Sequence, residues 1–596
     1  MLRLLIPKKY GNYADTFFLL GLARVIEYAL KESKQKSEIQ LIDQGTHYCI
    51  QFKKCVNLEP IAKIKYTSPF PVVKGKNTDI SNIPEEANIF DTVEHDEARK
   101  VYHEFMLQQR GKERTEESPQ PPDPRTQNGA ILTSMRHDRN HNNLWLDGWK
   151  LRNYFGALIV ALLEGFSKEN ATTELVAEFF ETATGCKLPN ASAVKIYLPN
   201  CVQGVNRVKA DSNKVDSQKT DWLSLWLIAN GLFNFGVAQK VKIAKSFEDW
   251  RLVALQPYDI SLSKYEVVLK NLIIYNPPTG KHGAARFDAE LVLKFCQELL
   301  NYNRAAAENK QDDFDDWDKP VNHFVNNFAG THFGSKGQVY GVKEVFSLGL
   351  PAWICPHDYN ELLDYQNVLN EHLNVVRALS IDDGHSELIA AYRDFISGND
   401  LYQFFRFQVS YADYITKKLA GANARVALFS KQGLNLMIKN LSNNRYRQDD
   451  GDLNLTKIIE NQGFLNIAKA INSATVYAGT ICDKDNHTKD TGWERIYGLA
   501  QRLSSQSGSK KDFIIEIMSF LASYENENLR IDDDLRTLKK PRRIWTTKDD
   551  LDELIHLIDK YGSSLIANLL IAYGYAKGWG KSKDEDTENI KPAEEP

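Results

Sequence analysis

Thr546-Thr547-Lys548-Asp549-Asp550-Leu551, with the residues that follow it to Trp579, is the stretch that decides the fold. Either threonine can cap a helix, and a carboxylate three positions on can reach back to the freed amides. Leu551, Leu554, Ile555 and Ile558, then Leu565, Ile566, Leu569, Leu570 and Tyr573, keep the three-four spacing of one helical face. This predicts one last helix, notched at Gly562. Working outward, residues 464–471, residues 493–503 (Ile496, Leu499, Ala500 and Leu503 in register) and residues 513–521 (Phe513, Ile514, Ile517, Met518, Leu521) carry the same pattern. Together they predict a compact all-α bundle at the C-terminal end.

Just ahead of the last helix stands Arg536-Thr537-Leu538-Lys539-Lys540-Pro541-Arg542-Arg543-Ile544-Trp545, a basic loop ending in an indole. Cations that neutralise phosphates release condensed counterions, and a neighbouring aromatic can stack on an unpaired base. Lys539, Lys540, Arg542 and Arg543 are therefore candidate nucleic-acid contacts. The alternative is a solvated charged loop beside Asp532, Asp533 and Asp534.

At 596 residues the chain is too long for one core, and two or three domains are expected. A formal charge of -4 excludes a uniformly basic surface, so any nucleic-acid binding must come from local patches. The 7 cysteines include no Cys-x-x-Cys pair, which argues against a zinc ribbon or a disulfide framework and fits a reducing cytoplasm. Residues 155–163, the most apolar run, are too short for a bilayer and predict a buried helix. Pro7, Lys8 and Lys9 interrupt the opening apolar residues, so no secretory signal is expected, and no membrane partner.

Taken in order, residues 1–6 predict a strand, and a helix follows from Asn12 or Asp15 with Leu19, Leu22, Ala23, Ile26 and Leu30 on one stripe. Residues 38–43 and 46–53 alternate around Gln44-Gly45 as a hairpin, with Tyr48, Ile50 and Phe52 on one face. The proline-rich residues 110–129 read as a linker. In Ser134-Met135-Arg136-His137-Asp138-Arg139-Asn140-His141-Asn142-Asn143, the side chains of Arg136, Arg139, Asn142 and Asn143 can bond phosphates or base edges, although a plain polar loop is the alternative. Arg207 and Lys209 lie in a second polar loop and are further candidate nucleic-acid contacts, a plain polar loop being an equal reading, and the aromatics from Trp222 to Phe235 read as core. Asp312, Asp313, Asp315, Asp316 and Asp318 read as a solvated acidic loop.

Gly330-Thr331-His332-Phe333-Gly334-Ser335-Lys336-Gly337 misses the phosphate-loop pattern, but glycines admit close backbone approach and Lys336 and Lys343 add charge. A glycine-rich connection is the competing reading. Residues 360–440 turn helical, with Arg445 and Arg447 at the joint after them as further candidate nucleic-acid contacts. The acidic tail from residue 581 reads as disordered.

His137, Asp138 and His141 raise the alternative of a metal-dependent HD-type nuclease. The segment has no apolar stripe, and Asp138 stands where a metalloprotease needs a glutamate base. No nucleophile elbow is recognisable, and no cofactor or resident metal is expected.

The order Gly463-Phe464-Leu465-Asn466-Ile467-Ala468-Lys469-Ala470-Ile471, Tyr497-Gly498-Leu499-Ala500, residues 513–524, Lys539-Lys540-Pro541-Arg542-Arg543 and Leu569-Leu570-Ile571-Ala572-Tyr573-Gly574-Tyr575-Ala576 resembles the C-terminal part of the large subunit of type I CRISPR effector (Cascade) complexes, in the I-A/I-B-like branch. It covers roughly the last third of the chain and is weaker over Gly11-Asn12-Tyr13-Ala14-Asp15-Thr16. The resemblance implies a non-catalytic subunit that recognises a motif flanking the target, helps open the duplex and holds the displaced strand. The implied partners are guide crRNA, target double-stranded DNA, the backbone, crRNA-processing and small subunits, and a helicase-nuclease or transposition adaptor. It also implies that the C-terminal bundle is like the separate small subunit, with Met437 placed for an internal start.

The expected class is α+β: a mixed α/β N-terminal module (1–110), a linker (111–129), an α+β central part (130–359), a helical connection (360–436), an all-α helical bundle (437–580) and a tail (581–596). A helical scaffold with no nucleic-acid contact is the remaining alternative.

Overall fold

The computed structural model describes residues 2–109, 119–199, 220–244, 246–309, 319–336, 339–398, 400–421, 425–445, 455–482, 488–538 and 543–579. They fall into two compact units, one of Met1–Asn309 with Val321–Leu350, the other of Lys310–Pro320 with Pro351–Pro596. The first unit holds the large sheets and the second is almost entirely helical, so the class is α+β.

The first unit opens with β1 (Arg3–Pro7), α1 (Tyr13–Glu32), β2 (Ile39–Asp43), β3 (His47–Phe52), α2 (Leu58–Ile61), β4 (Val72–Lys74), β5 (Ile89–Asp91) and α3 (Thr92–Gln108). Next come α4 (Thr126–Ser134), α5 (Asp138–Lys150), α6 (Phe155–Phe166), α7 (Thr173–Thr184), α8 (Trp222–Phe235), β6 (Val237–Ala244) and β7 (Phe247–Pro257). The unit ends with β8 (Asp259–Ser261), α9 (Leu262–Lys270), α10 (Ala284–Glu308), α11 (Val321–Phe324), β9 (Val325–Lys336) and β10 (Val339–Gly349).

Two antiparallel sheets result, ordered β1-β3-β2-β8 and β10-β9-β7-β6. The hairpin at Gln44-Gly45 is as expected: Gly45 takes φ 86°, and its N–H donates to Asp43 Oδ1 at 2.8 Å. Asn12 caps α1 by accepting from Ala14 N at 2.8 Å.

α1 is buried on nearly every side because it crosses α8 at backbone contact. Gly21 lies against the Leu227 carbonyl and Gly231 against the Phe17 carbonyl, with no room for a Cβ at either. Asn230 Nδ2 donates to Gly21 O at 3.0 Å and fixes the register of the crossing.

Three expectations for this unit need correction. The linker reading extends too far, since α4 begins at Thr126 and its Asn128 is buried, donating to Leu232 O at 2.9 Å. The polar run after Ser134 enters a helix, α5, whose inner face of His141, Leu144, Trp145 and Gly148 is buried. The glycine-rich stretch is the β9–β10 hairpin: Gly330 makes room for the Phe346 ring and Gly334 for the Asp249 carboxylate.

The second unit runs α12 (Tyr359–Ala378), α13 (Ser386–Gly398), α14 (Leu401–Leu419), α15 (Lys431–Arg445), α16 (Leu455–Ile459), α17 (Gln462–Thr475), β11 (Thr480–Cys482) and β12 (Thr488–Asp490). It ends with α18 (Leu499–Gln506), α19 (Lys510–Leu538), α20 (Lys548–Tyr561) and α21 (Ser563–Gly574). The capping box at Thr547 and Asp550 forms, with Asp550 N donating to Thr547 Oγ1 at 3.2 Å and Thr547 N donating to Asp550 Oδ2 at 2.8 Å.

The last helix is nevertheless two. Gly562 takes φ 87° and ψ 146°, which ends α20 and starts α21 in a new direction. Residues 493–498 are not helical, and α19 extends far past 521 to take in Arg536. α17 packs on α20 and α21, and Asn472 Nδ2 donates to the Gly574 and Ala576 carbonyls at 2.9 and 2.7 Å, which holds the end of α21. Met437 is fully buried in the middle of α15. Among the described residues, no helix is long and apolar enough to cross a membrane.

Candidate nucleic-acid interface

A cleft of about 720 Å³ opens in the first unit where the turn after β4, helix α3, the end of α4 and strand β6 converge. Lys76, Lys100, Arg136 and Lys240 line it, and all four are exposed. Lys76, Lys100 and Arg136 belong to no ion pair among the described residues; Lys240 lies 3.9 Å from Glu248 and 5.3 Å from the Trp250 ring centre. Asn77, Thr78, Thr92 and Ser134 add neutral hydrogen-bonding groups, and Asp96, Glu97 and Asp138 add carboxylates.

The local sequence explains each placement. Gly75 lets the turn after β4 pass against Thr133, where a Cβ would meet Cγ2 at 2.7 Å. Asp91 caps α3 through Val93 N and Glu94 N at 3.0 and 3.3 Å, which orients the helix carrying Lys100. Lys240 points out of β6 opposite Trp250 of β7.

Arg136 occupies the most telling position. Helix α4 ends with His137 N donating to Leu132 O at 3.0 Å and Arg136 N to Thr133 O at 3.1 Å, the paired bonds of a Schellman end. That motif places Arg136 at φ 57°, where glycine is usual and a side chain costs about 1 kcal/mol. A guanidinium lines the cleft in spite of this backbone cost. Arg136→Gly is therefore expected to raise stability by up to about 1 kcal/mol while weakening nucleic-acid binding, as read from a denaturant midpoint and a binding curve on the same sample.

The other sequence candidates divide. Arg139 and Asn143 are exposed, four residues apart on α5, outside the cleft lining. Asn142 is buried, accepting from Val73 N at 3.0 Å and donating to Val73 O at 2.9 Å, so it clamps β4 and cannot read a base. Lys343 is held by the buried Asp249 at 2.7 Å. That carboxylate also accepts from His332 Nε2 at 2.8 Å, and His332 Nδ1 accepts from Arg251 Nη1 at 3.0 Å. Arg251 in turn grips Asp288 with two bonds of 2.9 and 2.6 Å. Burial lowers the His332 pKa, and its two partners fix the neutral tautomer. Lys343, itself exposed, is thus paired to a buried network instead of offering a free charge.

Arg543 is paired too, and its side chain is buried. Its guanidinium lies 3.8 Å from the Trp493 ring centre and 4.4 Å from that of Tyr524, with Glu527 at 2.5 Å and Asn528 at 3.0 Å. With 6% of its side chain exposed, it pins residues 543–546 to α19. Arg543→Ala is expected to cost about 3 kcal/mol, since it leaves the Glu527 charge without its partner, and to leave the salt dependence of nucleic-acid binding unchanged. A denaturation curve and a salt titration check the two halves. Lys539, Lys540, Arg542, Arg207, Lys209 and Arg447 lie outside the described residues, as does the acidic loop at 312–318. For Lys336 and Arg445 only the backbone is described, at the ends of β9 and α15.

His141 is not free to serve as the metal ligand that the nuclease alternative assigns to it. Its Nε2 donates to Pro71 O at 2.8 Å, so Nδ1 must accept from Tyr197 OH at 2.5 Å, and no lone pair is left for a metal. Asp138 accepts from Thr78 Oγ1. Burial lowers the His141 pKa to about 4, and that of His372 in the aromatic core of the second unit to about 3. Below the ordinary histidine range, near 6.5, the unfolded chain binds these protons and the native chain does not. Stability should therefore fall as pH drops from about 6.5 towards 4, by a few kcal/mol per buried histidine. Urea midpoints across that range check it.

Lys76, Lys100 and Lys240 were missed. Their signals were faint: a Gly75-Lys76-Asn77-Thr78 turn, a weakly amphipathic helix and the exposed positions of an alternating strand. The chain matches no protein-family model and no curated protein sequence.

Proposed function

We propose that this chain is the non-catalytic large subunit of a guide-RNA-directed DNA surveillance complex of the type I Cascade class. In this reading it recognises a short motif beside the target, helps open the duplex and holds the displaced strand. Guide RNA pairing reads the remaining target sequence. Backbone, crRNA-processing and small subunits surround it, and the assembly recruits a helicase-nuclease or a transposition adaptor.

The family assignment rests on the residue order from Gly463 to Ala576, and the nucleic-acid contact rests on the cleft. Four exposed cations on one concave surface suit a phosphate backbone despite the chain's formal charge of -4. The mixed lining also fits a reader of short sequence: arginine bonds guanine and carboxylates accept from the cytosine amino group. A wholly basic track would bind every sequence alike.

The test uses the assembled complex and duplexes that share one guide-matched target but carry randomised flanking bases. Enrichment of a short flanking motif, lost when Lys76, Lys100, Arg136 and Lys240 are changed to Ala, is the expected result. Equal recovery of all flanks would overturn the proposal.

A further inference from the structure

The second unit carries an open groove of about 960 Å³ along the junction of α13 and α14. Its two sides bear opposite charge. Asp383, just ahead of α13, and Glu387 and Asp394 on that helix make one flank, while Arg406, Lys417 and Lys418 of α14, with Asp413 among them, make the other, which is basic on balance. On α13 the lining also includes Ala390 and Ala391, short enough for another backbone to come close.

The charges on the two flanks do not satisfy one another. Asp394 pairs along its own helix with Arg393 at 2.7 Å, and Lys417 with Asp413 of α14 at 2.6 Å. Asp383, Glu387, Arg406 and Lys418 join no ion pair among the described residues, and all four are exposed. An acidic wall repels a phosphate backbone and an anionic membrane surface alike. A polypeptide with one basic and one acidic edge meets both walls favourably.

We infer that this groove receives one helix of a partner protein, with basic side chains along one edge and acidic side chains along the other. The third-helix position beside two consecutive packed helices supplies the geometry, with axes about 8–10 Å apart over short lining residues. The lining from Gln403 to Lys418 spans about 22 Å, so the docked helix has about four turns. This inference stands apart from the nucleic-acid reading, since the groove and the cationic cleft share no residue.

The experiment is fluorescence anisotropy on the full chain with two labelled helical peptides. One has a basic and an acidic edge around an alanine-rich stripe, and the other is acidic on both edges. Wild type should bind the mixed-edge peptide at least tenfold more tightly. Glu387→Lys with Asp394→Lys should invert that preference, because the acid flank becomes basic. Both positions are exposed, and an unchanged melting curve verifies that the variant is folded. Equal binding of the two peptides, no binding by wild type, or binding of labelled single-stranded DNA that Arg406→Glu with Lys418→Glu abolishes would each overturn the inference.

Discussion

Gly21→Ala is expected to destabilise the first unit by about 3 kcal/mol or more, and Gly231→Ala by a similar amount. A Cβ at position 21 would stand 1.9 Å from the Leu227 carbonyl oxygen, and one at 231 would stand 1.9 Å from the Phe17 carbonyl oxygen. Backbone atoms cannot rotate away as a side-chain end can, so α1 and α8 must separate. Overpacking within cores typically costs 1–3 kcal/mol, and this crossing, buried on both sides, lies at or beyond the top of that range. Separation also breaks the bond from Asn230 to Gly21 O. The double variant should cost less than the sum of the singles, because one forced separation already relieves the second contact. Gly398→Ala is the control, since among the described residues nothing lies within 4 Å of its Cβ position. Denaturation midpoints read all four proteins, and a Gly21→Ala chain as stable as wild type would contradict the α1–α8 packing.

The second large effect concerns the cleft. Changing Lys76, Lys100, Arg136 and Lys240 together to Ala should weaken duplex binding by about 100-fold at physiological salt. Each phosphate neutralised on B-form DNA contributes about 0.9 to the slope of log affinity against log salt, so the slope should become shallower by about 3 to 4. Among the described residues three of these cations join no ion pair, and Lys240 loses a loose approach to Glu248 and to the Trp250 ring, so the fold should be nearly undisturbed. An unchanged slope would mean that the cleft does not meet phosphate, whatever happened to affinity.

Local chemistry made parts of this fold legible. The Gln44-Gly45 hairpin, the start of α1 and the capping box of α20 each need only a few adjacent residues; the hairpin forms as the sequence predicts, and of the open choices the structure takes Asn12 and Thr547. Elsewhere tertiary contacts overrode the pattern. Periodicity was counted through Gly562, although its positive φ breaks the helix. Polar residues after Ser134 hid a helix whose His141 and Asn142 find their partners at Pro71, Tyr197 and Val73, far along the chain. The glycines at 330 and 334 looked like loop formers, but they serve a buried ring and a buried carboxylate.

The site was less legible than the fold. Arg136 was visible because it stands in a run of hydrogen-bonding residues, whereas Lys76, Lys100 and Lys240 meet it only through the packing of β4, α3 and β6. Composition treats every cation alike. It cannot separate Arg543, enclosed by two aromatic rings, from Lys100, exposed on α3.

The most direct test of the central claim is the nucleic-acid content of the assembly recovered through this chain after co-expression with its neighbouring genes. A discrete guide RNA, recovered in fixed proportion to the protein and retained when the four cleft cations are neutralised, is the predicted result. Recovery of an RNA-free chain, alone or with protein partners only, would contradict it.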